Sequence, residues 1–237
     1  MKTLRYAAAM VIFAVQFVIF PVAGNAIEVS NLRHLSEADA LAFMECARNN
    51  TVPNGTCVGV AFKLSKAGKT GTEKYGSISY ERSATGHVFR VNFDEDARYM
   101  EFGSAQLEDN ACAVPMHEPF FEGLIFTPAD VFFFFLEGNE YSYIGPSTIA
   151  GRRVQEFLMQ TDISIGGTRI THTKISIDEK FMAVLRVDFF DGPRKVARRI
   201  SVGSFKNFDG IWMPKTVEIA DFRNRSRARL HILSVKT

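Results

Sequence analysis

The sequence predicts an α+β protein that is mainly antiparallel β. Three observations predict it. Val184 to Val235 holds four runs in which apolar and polar residues alternate with period two. A second set of strand-like runs lies between Cys57 and Phe102. Two helix-start signals, at Ser36 and Thr127, stand before and between these sets. Strict alternation marks a strand with one dry and one wet face, as antiparallel sheets have.

In the last third, Leu185, Val187 and Phe189 point one way and Arg186 and Asp188 the other. The run stops at Asp191-Gly192-Pro193. The second run sets Val196, Ile200 and Val202 against Arg199 and Ser201, and stops near Asn207 to Gly210. The third, Met213 to Asp221, sets Met213, Val217 and Ile219 against Thr216 and Glu218. The fourth sets Leu230 and Ile232 against Arg229 and His231. Asp-Gly closures between such runs signal hairpins, so this third reads as a four-stranded meander.

From the start, the chain reads Met-Lys-Thr-Leu-Arg, then an almost unbroken apolar run, then Gly24-Asn25-Ala26. That pattern predicts a secretory signal peptide, residues 1–26, and export. The alternative is an anchor, but Ala7 to Phe20 is short for a span of about 20 residues and Gln16 interrupts it. Residues 27–237 then form one domain. Without Lys2 and Arg5, basic and acidic residues balance, and no nucleic-acid partner is expected. Three cysteines remain, Cys46, Cys57 and Cys112. In an oxidising compartment the expectation is a Cys46–Cys57 disulfide, the nearer pair along the chain, with Cys112 free. The alternative is three buried thiols.

Ser36 caps a helix over 37–48, with Glu37 and Asp39 in its first turn and Leu41, Met44 and Ala47 at helical spacing. Strands follow at Cys57 to Leu64, Tyr75 to Glu81, His87 to Phe93 and Arg98 to Phe102, separated by hairpin-length loops. These form a second meander. Gly103 to Pro119 has no period and reads as a loop. Its Cys112, Met116 and His117 are soft-metal ligand types, but their spacing fits no metal motif.

Thr127-Pro128-Ala129-Asp130 is a second helix start with a capping-box pattern, and Gly138 ends the segment. Val131, Phe132, Phe133, Phe134, Phe135 and Leu136 make this short element apolar on every side. It must be covered all round or face a greasy space. Tyr141 to Ile144, Arg152 to Leu158 and Thr168 to Ile177 supply further strands, with Gly145-Pro146 and Gly166-Gly167 as turns.

No nucleophile elbow, zinc motif or phosphate loop is present in the sequence, and the five histidines are scattered. No catalytic residue, cofactor or metal ligand is therefore assigned. Arg223, Arg225, Arg227 and Arg229 recur every second residue and would line one strand face if the strand starts that early. Such a stripe suits anionic lipid heads or an acidic partner. The plainer reading is a solvated face whose charges guard a sheet edge.

Three groups of residues carry a resemblance over roughly the second half of the chain. They are Phe190-Asp191-Gly192, Gly210-Ile211-Trp212-Met213-Pro214 and Val217-Glu218-Ile219-Ala220-Asp221. Thr127-Pro128-Ala129-Asp130 and Ile149-Ala150-Gly151-Arg152 add to it. The order resembles the outer-membrane lipoprotein-sorting proteins, the LolA-like fold. The resemblance implies a strongly curved, incomplete β-barrel with helices over its concave mouth. It implies a periplasmic carrier that takes lipoprotein acyl chains, or lipid, from an inner-membrane complex to an outer-membrane acceptor. The expected cavity residues are 131–136 together with Leu185, Val187 and Phe189. Two other classes stay open: an envelope sensor or scaffold using the sheet to bind a protein partner, and an envelope hydrolase.

Overall fold

A computed structural model describes residues 34–49, 55–66, 69–83, 86–93, 98–103, 119, 125–127, 130 and 141–237. Helix α1 spans Glu37–Asn49. Ser36 starts it as expected: its Oγ accepts from the Asp39 N–H at 3.2 Å and donates to the Asp39 carboxylate at 2.7 Å. One orphan N–H of the first turn is thereby satisfied. The face that packs is Ala40, Phe43, Met44 and Ala47. Leu41, expected on that face, instead lies on the exposed side, because the buried arc is centred on Met44 and Phe43.

Eleven strands follow. They are β1 Cys57–Lys66, β2 Lys69–Ser83, β3 Gly86–Phe93, β4 Arg98–Gly103, β5 Tyr141–Ile149, β6 Arg152–Ile165, β7 Thr168–Asp178, β8 Ala183–Phe190, β9 Val196–Phe208, β10 Ile211–Asp221 and β11 Ser226–Lys236. All belong to one sheet, ordered β4-β3-β2-β1-β11-β10-β9-β8-β7-β6-β5. Every described pairing is antiparallel, and the two predicted meanders meet where β1 pairs with β11. The four-stranded C-terminal meander is part of a longer one that begins at β5. The sheet is unclosed, with β4 and β5 at its edges.

Gly145-Pro146, expected as a turn, lies within β5. The register slips between Tyr143 and Gly145, and Gly145 has φ +140°. This is a bulge. It is tolerated because β5 is an edge strand, where a proline costs no ladder bond. The reversal itself falls at Ala150 and Gly151, both with positive φ.

Alternation sorts the faces. Across the sheet, Tyr143, Phe157, Ile175, Val187, Ile200, Ile219 and Ala228 stand in one register row. All but Tyr143 are buried, and the row carries no charge. This is the inner face. The neighbouring outer row reads Glu156, Ser176, Arg186, Ser201, Glu218, Arg229 and Lys63. There Lys174 and Ser176 hold Glu156, Arg199 holds Asp188, and Arg229 donates to Glu218 at 2.6 Å. One face excludes water and the other is a lattice of ion pairs.

Candidate functional site

The inner face is the candidate site, and two chain segments lie on it. The first is α1. Phe43 stacks on Phe157 with ring centroids 6.2 Å apart, and Tyr141 and Tyr143 pack edge-on and tilted around the same ring. Ahead of the helix, the Leu35 N–H donates to the Tyr143 hydroxyl at 3.0 Å. That hydroxyl donates to buried Gln155, whose amide donates to Glu179 at 2.6 Å. This chain satisfies a buried amide side chain under the start of α1.

The second is made by residues 125–127 and Asp130. Phe126 is fully buried and meets Phe62 of β1 edge-on at 5.6 Å. Thr127 and Asp130 form the expected capping box: the Thr127 N–H and hydroxyl donate to Asp130 Oδ2 at 2.7 and 2.8 Å. The Asp130 N–H returns to Thr127 Oγ1 at 3.3 Å. Arg198 of β9 then reaches up from the inner face. It donates to the Ile125 carbonyl at 2.7 Å and to the Asp130 carboxylate. The residues are 7% and 1% exposed, so this pair is desolvated. A buried charge of this kind is tolerable because it is matched and hydrogen-bonded. Sequence reading found the cap but not its arginine, since the partners lie 68 positions apart.

Of the expected cavity residues, Leu185, Val187 and Phe189 are all on the inner face and buried in the continuous apolar cluster. Residues 131–136 lie outside the described residues, as do Cys112, Met116 and His117. A cavity of about 170 Å³ opens beside Arg198, lined by Ile125, Thr127, Ile165, Ile170, Ala197 and Asp221 among others. It is smaller than the 300 Å³ or more that holds a drug-sized ligand.

Two groupings differ from expectation. Cys46 and Cys57 are free thiols, not a disulfide. Cys46 lies on the exposed side of α1. Cys57 alternates with buried Val58 and so falls on the outer face of β1, away from the helix. The arginine stripe is also broken. β11 begins at Ser226, so Arg223 and Arg225 fall in the preceding turn. Arg223 donates to Asp191 at 2.8 Å, tying two turns together. Arg227 and Arg229 alone share the strand face, and both are ion-paired with Glu218.

No protein-family model matches the sequence, and no curated protein matches it either. Solved structures do. A domain from Vibrio parahaemolyticus described as an outer membrane lipoprotein-sorting protein aligns with a TM-score of 0.65 at 14% identity, over 84% of this chain and 90% of that one. A DUF1329 family protein from Desulfovibrio piger aligns at 0.62 with 10% identity, over 84% and 90%. A LolA superfamily protein from Nitrosomonas europaea aligns at 0.60 with 10% identity, over 83% and 92%. An unclosed antiparallel sheet with an apolar inner face is the class of fold, and the particular fold is LolA-like.

Proposed function

We propose that the protein is a periplasmic carrier that binds acyl chains of lipoproteins, or lipid, on the inner face of its sheet and moves them toward the outer membrane. The observation that carries this is the uncharged row from Tyr143 to Ala228, on a sheet whose other face holds ion pairs such as Lys174–Glu156, Arg199–Asp188 and Arg229–Glu218. Water-exposed acyl chains cost about 0.8 kcal/mol per CH₂, so about 12 kcal/mol for a chain of about 16 carbons. A carrier must offset nearly all of this with apolar area and few fixed polar anchors. The apolar character of the described inner face supports this reading, and the buried pair of Arg198 with Asp130 sits beside the cavity. The printed description of the Vibrio structure supports the same cargo class. The signal-peptide pattern of residues 1–26 supports the address.

The reading assigns residues 131–136 as the cover of the acyl chain, together with Leu185, Val187 and Phe189 beneath it. The test uses Phe132→Ser and Phe135→Ser. Weaker binding of a fluorescent fatty acid at an unchanged melting temperature is the expected result. A loss of about 3–5 kcal/mol of stability, with no separate effect on binding, would make these residues core and remove them from the site. Mass spectrometry of protein purified from cells should find co-purifying lipid or lipoprotein. A stoichiometric protein partner and no lipid would favour the sensor or scaffold reading instead.

A further inference from the structure

In this meander the turns alternate between two rims. The β5–β6, β7–β8 and β9–β10 turns share one rim, and the arginine-bearing β10–β11 turn lies on the other. The first rim carries a partly buried aromatic group. Phe181 stacks on Phe205 at 5.2 Å and meets Trp212 at 6.0 Å, and all three rings are half-buried rather than buried. The Arg152 guanidinium lies over Phe181 and Phe205 at 4.7 and 4.8 Å while its Nε donates to Asp178. The group is thus held rigidly and is open on one side.

Three lysines share this rim: Lys180 lies beside the aromatic group, while Lys206 stands on the opposite face of the β9–β10 hairpin from Phe205 and Trp212. Lys180 places its ammonium 5.5 Å from the Phe181 ring, and Lys206 its own 4.7 Å from Phe208. Lys215 is exposed next to Pro214, the register partner of Phe205. None of the three lysines is ion-paired among the described residues. Of the carboxylates nearby, Asp178 is paired with Arg152, while Glu179 accepts from the neutral Gln155 amide and keeps its charge. Glu179 and Asp209 stand against three lysines at these turns, a net excess of one positive charge. A partly buried tryptophan and two phenylalanines on a rim that also carries exposed lysines match the headgroup layer of a membrane, where tryptophan settles and lysine meets phosphate.

We propose that this rim, centred on Trp212 with Lys180, Lys206 and Lys215, docks on the surface of an anionic phospholipid bilayer. The contact is distinct from the inner face and does not depend on what that face carries. Its attraction is electrostatic at the lysines and apolar at the rings, so it weakens as salt rises.

The chain has one tryptophan, which makes the test direct. Protein processed and exported by cells is mixed with vesicles of phosphatidylglycerol and phosphatidylcholine whose acyl chains are brominated. Co-sedimentation, a blue shift and quenching of Trp212 emission are expected, with much weaker binding to phosphatidylcholine alone. The triple variant K180Q/K206Q/K215Q, with an unchanged melting temperature, should partition about 100-fold less, at roughly fivefold per lysine. Binding in which Trp212 stays unquenched would overturn the proposal, since another surface would then be the contact. Equal binding by the triple variant, or none by the parent protein, would overturn it too.

Discussion

Asp130 and Arg198 illustrate what one buried pair does. Removing the carboxylate leaves a buried guanidinium with only the Ile125 carbonyl on its Nη2. Asp130→Ala should therefore cost about 3–5 kcal/mol in denaturant unfolding. Replacing both partners, Asp130→Ala with Arg198→Met, should recover much of that, because no charge is then stranded. A double variant that loses the sum of the singles would show that the two act independently. His231 gives a pH-dependent case. Burial, then Arg229, hold its pKa below the usual 6.5. The folded state therefore resists a proton that the unfolded chain accepts, so stability falls as pH drops from 6.5 toward the lowered value. His231→Gln should flatten that slope, and an NMR titration of the imidazole should give a midpoint below 6.5. Cys46, exposed and free, should react with a thiol reagent in the native protein, with half-buried Cys57 slower. A Cys46 that reacts only after reduction would restore the disulfide.

At the scale of elements, the close approach of β2 to β3 depends on Gly76. A Cβ there would run into the Asn92 carbonyl and lie 3.3 Å from the Phe93 Cα, all backbone. Gly76→Ala must push the strands apart, with an expected loss of about 1–3 kcal/mol. The measurement is a lower denaturant midpoint at an unchanged m-value. A midpoint equal to the parent's would mean that the pairing yields without cost. Gly145 is a different kind of glycine. Its φ of +140° shapes the β5 bulge, and the space beyond it is taken by His34, with Cδ2 at 3.4 Å. His34 in turn packs edge-on against Tyr143 at 4.9 Å. The bulge thus re-aims the edge strand at the segment that leads into α1.

For the molecule as a whole, the sheet separates two environments. Its inner row has no charge, and its outer row carries Glu156, Arg186, Glu218, Arg229 and Lys63, with Arg229 bonded to Glu218. If residues 1–26 are the proposed signal peptide, the mature chain should begin at Ile27, and N-terminal sequencing of protein recovered from cells checks it. A chain that still starts at Met1 would mean an anchor at residues 1–26. The two rims also differ. One is tied by Arg223, Lys195 and Asp191 across adjacent turns, and the other presents Trp212 and unpaired lysines.

The sequence by itself determined the strand content, the inner face of the last four strands, and the caps at Ser36 and Thr127. Those follow from periods and short spacings that neighbouring residues enforce. It missed the Gly145 bulge, because a Gly-Pro pair signals a turn unless an edge strand is there to absorb it. It misplaced Leu41, because helical spacing alone does not say which of two adjacent arcs meets the sheet. It joined Arg223 and Arg225 to a strand that starts at Ser226, and it paired Cys46 with Cys57 on nearness along the chain alone. Only the tertiary structure decided the partner of Arg198, the faces of the two cysteines and the meeting of Phe181, Phe205 and Trp212. These contacts join residues from separate hairpins, and their energy comes from desolvation that no local pattern encodes.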